Sequence, residues 1–322
     1  MYMIKNFIAV TIGDIEGIGI QLLIELMIKK KICNFILFTN YNIIKRYLDK
    51  NNIKIKVVNI KNNEKKILLN KYNILYIYNF NTKNMNENSY KSLITSYKYT
   101  KKYKLKGIVN LPLNKEKIIR NIDKNFIGQT EFYQKIDNKK ISNMIFIYKK
   151  LIVTTLTTHI EINKITENLS KKNIIYEKII SLNNELIKIL KHKRPKFIIS
   201  GINPHTSENN LFGNEEEKFL IPQIKKIRKK NIYIRGPFSA DSMLNKTNLD
   251  KYNCFIFCYH DQALVAYKYI SKNRGINLTG GLSILRTSPD HGTAYNLVGS
   301  KNAENKSLLN CFNFLKKSNA NS

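Results

Sequence analysis

Three of the five histidines in this chain, His159, His205 and His260, stand in polar, conformationally specific segments: TTHIE, SGINPHTSE and CYHDQA. Imidazole is a common metal ligand. A divalent ion held by three of them keeps positions open for substrate oxygens, the arrangement of a catalytic site and not a structural one. The intervals between them, 46 and 55 residues, match no local metal motif. Any one of these histidines is also explained as a residue that satisfies its own loop. Together, beside the acidic and glycine-containing segments described below, they point to one shared divalent ion.

Such residues must be brought together by the elements that carry them. Short apolar, β-branched runs at 7–12, 34–39, 74–78, 107–110, 196–200 and 253–258 read as strands. Helical periods occupy 20–30, 43–49, 89–104, 115–120, 166–190 and 215–229, and two runs at 143–148 and 151–158 read as an antiparallel hairpin. Each of the three histidines lies at the end of a strand-like run. Alternation of this kind predicts an α/β fold, a mainly parallel sheet covered by helices with ligands at the carboxyl ends of the strands. A chain of 322 residues with 43% hydrophobic content is long enough to bury a large core in two lobes.

The formal charge of +32 invites a polyanion-binding reading. Only seven of the 55 basic residues are arginine, however, and lysine, isoleucine and asparagine crowd every segment, the mark of AT-rich codons. Lysine is spread everywhere and not along one face, so no specific nucleic-acid partner is expected. The field would still draw in small phosphorylated substrates. Cys33, Cys254, Cys258 and Cys311 are too few and too apolar in context for a disulfide framework. The first apolar run is too short for a signal peptide or a membrane span, so a cytoplasmic protein with no membrane partner is expected.

Further polar groups fall at strand-to-helix junctions. Gly13-Asp14-Ile15-Glu16-Gly17-Ile18-Gly19 follows the first strand, without the lysine of a P-loop or the spacing of a dinucleotide fingerprint. Leu111-Pro112-Leu113-Asn114-Lys115 and Gly128-Gln129-Thr130-Glu131 precede helices, where backbone N–H groups hold anions or ordinary caps suffice. The last 70 residues combine His260, Lys268, Asn277 and Arg286, and lysine and arginine suit a phosphate and a carboxylate.

The blocks GINPH…FGNEEE, GPFSAD, YHDQA…K and RTSPDHGTA, running in order from GDIEGIGI to NLVGSKNAENKS, resemble the signature of the 4-hydroxythreonine-4-phosphate dehydrogenase (PdxA) family over nearly the whole chain. The resemblance implies a two-lobed α/β/α fold similar to isocitrate and isopropylmalate dehydrogenases, with the active site in the interlobe cleft. The lobes would be about 1–125 plus 285–322, and about 126–284, within a single family domain. It implies NAD- or NADP-dependent oxidation of 4-phosphooxy-L-threonine followed by decarboxylation, in pyridoxal 5'-phosphate synthesis. It also implies one divalent metal (zinc, magnesium or cobalt) on His159, His205 and His260. Substrate would meet Gln129, Thr130, Lys268, Asn277 and Arg286, with Asp241 and Lys268 catalytic. The cofactor would meet His291, Gly292, Thr293 and Ala294. A homodimer with its metal site at the subunit interface is implied as well. Relatives that act on other phosphorylated sugar acids of the threonate or erythronate type make that substrate class the alternative.

Departures from the family pattern sit inside these blocks. Gln129 replaces the usual histidine of GHTE, and Asn296 replaces an aspartate of the cofactor loop. Ile15 and Glu16 stand in the block that usually reads GDPAG, and Ser207 and Ala263 stand where glycine is usual. Glutamine can donate a hydrogen bond to a phosphate or hydroxyl, but it cannot carry charge or shuttle a proton.

Overall fold

The short apolar runs are buried on both faces, which is why they pair mainly in parallel beneath helices. β1 and β2, for example, are buried at every residue. A computed structural model describes residues 4–61, 67–189, 191, 193–300 and 302–318. It divides into two units, Met1–Gly128 with Ile284–Ser322, and Gln129–Ser283.

Unit one begins with β1 (Ile8–Thr11), α1 (Ile18–Ile28), β2 (Phe35–Thr39), α2 (Tyr41–Lys50) and β3 (Lys56–Asn59). It continues through β4 (Ile74–Asn79), α3 (Met85–Tyr103), β5 (Ile108–Asn110) and α4 (Lys115–Asn121). Unit two holds α5 (Gln129–Ile136), β6 (Asn143–Tyr148), β7 (Leu151–Thr155), α6 (Ile165–Ser170), α7 (Ile174–Lys188) and β8 (Lys196–Ser200). There follow α8 (Ile221–Arg228), β9 (Tyr233–Phe238), α9 (Ala240–Met243), α10 (Lys246–Lys251), β10 (Cys254–Phe257), α11 (His260–Ser271) and β11 (Ile276–Gly280). The chain then returns to unit one with β12 (Arg286–Pro289) and α12 (Lys306–Lys317).

Six strands of unit one pair in the order β3-β4-β2-β1-β5-β12, every pair parallel. The chain runs outward from β1 on one side and crosses to β5 on the other. The carboxyl ends of β1 and β5 therefore form a topological switch point, the place where open α/β sheets hold ligands. Unit two has the order β11-β6-β7-β10-β8-β9. There β11, β6 and β7 pair antiparallel, the expected hairpin being β6–β7, while β7, β10, β8 and β9 pair parallel.

Two helices differ from the sequence reading. The period at 166–190 is two helices, α6 and α7, broken where Asn173 takes φ 64 in the left-handed region; asparagine tolerates that conformation better than most residues. Position 190 lies outside the described residues. The helix expected at 215–229 opens as a π-turn at Glu216–Leu220 before α8, whose second residue is Pro222. Proline has no N–H to complete an α-helical turn, so the ladder adjusts there. β9 was not legible because Gly236-Pro237 interrupts its run, and such a strand is tolerated at a sheet edge. No helix among the described residues is long and apolar enough to cross a membrane. The four cysteines are buried free thiols.

Candidate functional site

The three histidines follow three neighbouring parallel strands of unit two. His159 comes after β7, His260 opens α11 after β10, and His205 comes after β8, and the order across the sheet is β7-β10-β8. Register carries the first two together. Phe257 pairs with Thr155, and beyond the strands Leu156 N donates to Phe257 O at 2.8 Å and Thr157 N to Cys258 O at 3.1 Å. The His159 and His260 rings end 5.7 Å apart between centroids. His159 Nδ1 lies 3.0 Å from Glu131 Oε1, and His260 Nδ1 lies 2.6 Å from Asp261 Oδ1. An ionised carboxylate only accepts, so each Nδ1 donates to it, and in the neutral imidazole Nε2 then holds the lone pair with which imidazole binds a metal. This donor chemistry fits a divalent ion. The structure does not draw His205 into the pair: among the described residues no group of three His, Cys, Asp or Glu stands close enough to hold a metal.

Two side chains that sequence reasoning passed over align this edge. Gln262 Oε1 accepts from Ser200 Oγ and Cys258 N, both at 2.9 Å, while its Nε2 donates to Gly201 O at 3.0 Å. The start of α11 is thereby tied to the end of β8. Glu131 accepts from Thr158 Oγ1 at 3.3 Å as well as meeting His159. Beside it burial pushes the Lys178 ammonium down to about 8, an effect the Glu131 charge opposes.

The other expected residues divide between the units. In unit two Gln129 opens α5, and the Thr130 hydroxyl lies 3.5 Å from that of Thr279 on β11. The Asn277 Oδ1 atom, also on β11, is buried with no hydrogen-bond partner among the described residues. An unsatisfied buried acceptor is costly, which fits an atom that meets a ligand. Asp241 lies exposed on α9, and Lys268 lies exposed on α11, two turns beyond His260. In unit one Arg286 is buried on β12, 1% exposed, and donates through Nε to Asn110 Oδ1 at 2.5 Å. His291, Gly292, Thr293 and Ala294 form the loop after β12, where Ala294 is left-handed at φ 41 and Thr293 O accepts from Ile18 N at 2.9 Å.

Comparison with known proteins covers nearly all of this chain. Residues 31–315 match the family model described as pyridoxal phosphate biosynthetic protein PdxA. The chain belongs to the PdxA family. It is 28% identical over 309 residues to 4-hydroxythreonine-4-phosphate dehydrogenase of Sulfurihydrogenibium sp. (strain YO3AOP1), covering 94% of this chain and 95% of the relative. It is 29% identical over 318 residues to a Clostridium botulinum (strain Hall) protein that carries the provisional name D-threonate 4-phosphate dehydrogenase, covering 95% and 94%. The crystal structure of 4-hydroxythreonine-4-phosphate dehydrogenase from Klebsiella pneumoniae shares the fold, with a TM-score of 0.81 at 22% identity over 96% of this chain and 98% of that one. This PdxA-family chain is an enzyme of the dehydrogenase class.

Within that family pattern, Ser207 and Ala263 have clear physical places. Ala263 is fully buried in an apolar cluster with Met144, Phe255 and Phe257, so its methyl group adds to the core. Ser207 belongs to a run from His205 to Asn210 in which every residue has positive φ, between 40 and 71. Left-handed backbone costs a non-glycine residue about 1–2 kcal/mol. The buried Glu216 carboxylate opposes that cost. It accepts from Ile202 N at 2.8 Å, Asn203 N at 2.9 Å and Asn203 Nδ2 at 3.0 Å, and from the Ser207 hydroxyl. The second glutamate of GNEEE thus holds the NPH turn, which explains why the two blocks occur together. Its position could have been suspected from an acidic run following a polar turn, but only as a helix-start signal.

Burial alone would raise the Glu216 carboxyl, but the Ser207 hydroxyl and the Asn203 donors outweigh it and hold it below the ordinary 4.5. A depressed native value means that the stabilisation is present in full above 4.5 and is lost as pH falls through the native value. Glu216→Gln is expected to lose about 2–3 kcal/mol at pH 7 in urea unfolding, with the gap to wild type narrowing below pH 4.5. A gap that stays constant from pH 7 to pH 3 would refute the role of the ionised carboxylate.

Proposed function

We propose that the enzyme oxidises 4-phosphooxy-L-threonine to 2-amino-3-oxo-4-phosphooxybutanoate with NAD or NADP, the product then losing CO2 to give 3-amino-2-oxopropyl phosphate for pyridoxal 5'-phosphate synthesis. Family membership and the Sulfurihydrogenibium relative support the substrate. The observation that carries the chemistry is the pair His159 and His260, each with a carboxylate on Nδ1 and Nε2 left for coordination. His159, His205 and His260 would hold zinc, magnesium or cobalt, three imidazoles being compatible with several divalent ions. When bound, that ion supplies Lewis acidity at the substrate hydroxyl, and the nicotinamide ring takes up the hydride.

The chain's own residues do the rest. Glu131 and Asp261 keep the two imidazoles in the coordinating tautomer. Asp241 accepts the hydroxyl proton, and Lys268 and Arg286 bind the anionic ends of the substrate. Gln129, Thr130 and Asn277 orient it by hydrogen bonds, Asn277 through its unsatisfied acceptor. His291, Gly292, Thr293 and Ala294 bind the adenosine side of the cofactor. Incubation of pure protein with NAD, a divalent metal and 4-phosphooxy-threonine should release CO2 and 3-amino-2-oxopropyl phosphate. Replacing His159, His205 or His260 by alanine should remove most bound metal and activity with the fold intact. Full metal content in all three variants would sink this reading.

A second reading, oxidation of a threonate- or erythronate-type 4-phosphate, is favoured by Gln129 and by the Clostridium botulinum relative. A charge-assisted hydrogen bond contributes roughly 1.5–3 kcal/mol and a neutral one about 0.5–1.5. If 4-phosphooxy-threonine is the substrate, Gln129→His should lower or leave its KM with little change in kcat. Activity that rises from near zero in that variant would assign the wild type to the other sugar acids.

We infer further that the working form is a homodimer formed around the histidine-bearing segments. Each leaves large apolar side chains in solvent: Ile162 at 80% exposure after His159, Leu211 at 75% after His205, and Val265 at 74% with Tyr269 at 85% on α11. Exposed apolar groups beside a polar centre suit a second copy of this chain. Sedimentation should give a dimer at micromolar concentration, and Tyr269→Lys should weaken it; an active wild-type monomer would rule the dimer out.

A further inference from the structure

The loop that follows β12 is held to the switch point of unit one at three places. At its start the Thr293 carbonyl accepts from Ile18 N, and a Cβ at Gly17 would stand 2.9 Å from that oxygen, so the approach requires glycine. At its end Gly299 N donates to Gln21 Oε1 at 2.9 Å. Between them the Tyr295 hydroxyl donates to Asp14 Oδ2 at 2.6 Å and accepts from Asn114 Nδ2 at 2.7 Å. Lys117 donates to the same Asp14 oxygen at 3.1 Å and to Glu16 Oε2 at 2.5 Å, and its ammonium lies 5.3 Å from the centre of the Tyr295 ring. Burial alone would lower the Lys117 ammonium, but the Glu16 and Asp14 carboxylates outweigh it and hold it above its ordinary value. Two carboxylates after β1, one amide and one ammonium after β5, and one phenol after β12 thus form a single connected clamp.

We propose that Tyr295 is a positioning residue for the dinucleotide: held between Asp14 and Asn114, its hydroxyl sets the left-handed turn at Ala294 and presents residues 291–294 in their binding conformation before the cofactor arrives. This rests on the reading of that loop as the cofactor's. A loop ordered in advance has less freedom to lose on binding, so the clamp acts on affinity for the dinucleotide and not on turnover. Tyr295 is 42% exposed and lies outside the core, so the hydroxyl can be removed without opening it. Tyr295→Phe keeps the ring over Lys117 and deletes only the two hydrogen bonds. Loss of a hydrogen bond to a carboxylate corresponds to roughly a ten-fold change in an equilibrium constant.

Wild type, Tyr295→Phe and Asn114→Asp should be compared by amide hydrogen exchange and by calorimetric titration with NAD and with NADP. Asn114→Asp keeps the cap on α4 and turns the donor facing Tyr295 into an acceptor, so it attacks the same clamp from the other side. Both variants should exchange faster by about ten-fold at 293–298 and at Ile18 in the free protein. Both should bind the preferred dinucleotide roughly ten-fold more weakly, and its KM should rise far more than kcat or the KM of the phosphorylated substrate changes. Unchanged exchange or unchanged dinucleotide affinity in both variants would overturn the inference alone. A wild type that binds neither dinucleotide would overturn it together with the cofactor reading.

Discussion

Parallel pairing of β7, β10 and β8 is the constraint on which the candidate site depends. Parallel neighbours in register present their carboxyl ends along one edge, so the segments that carry three histidines far apart in the chain leave the sheet from neighbouring strands, and two of the three meet. The ladder even continues past β7 and β10 through Leu156 and Thr157, which is what sets His159 against His260. If β10 ran antiparallel, its following residue would emerge at the opposite edge and no pair would exist.

Ionised or amide side chains then turn this edge into a defined geometry. From α11, Gln262 ties its amide to the ends of β8 and β10, and Glu216 gathers four donors from the turn that carries His205. Both are buried or half-buried polar groups with several partners. Such groups tolerate little displacement, because a buried donor or acceptor left unpaired is expensive. The left-handed run at 205–210 is held against its own preference by that carboxylate.

Unit one follows the same logic with different chemistry. Its all-parallel sheet puts the glycine turn after β1, the Asn114 turn after β5 and the loop after β12 at neighbouring carboxyl ends. Asp14 and Lys117 then join them through charge, and Tyr295 through a single hydroxyl. Lys117 is the ammonium of this clamp, with the carboxylates of Asp14 and Glu16 on two sides.

Much of this was legible in the residues themselves. The β-branched runs and helical periods declare an α/β chain because side-chain periodicity is local, and the ordered blocks from GDIEGIGI to RTSPDHGTA declare a PdxA-family dehydrogenase because each block keeps its residue types together. The histidines could be singled out for their polar surroundings. Their pairing could not, since it depends on which strands neighbour one another and in which register, a matter of contacts across about a hundred residues. The break at Asn173 and the π-turn before Pro222 follow from the backbone chemistry of single residues that helical periodicity does not register, whereas the strand through Gly236-Pro237 exists because β8 pairs with it at the sheet edge. The roles of Glu216, Gln262 and Tyr295 came only from the fold. A glutamate, a glutamine or a tyrosine is ambiguous in sequence, and becomes specific only when burial and neighbouring donors leave it one arrangement to adopt.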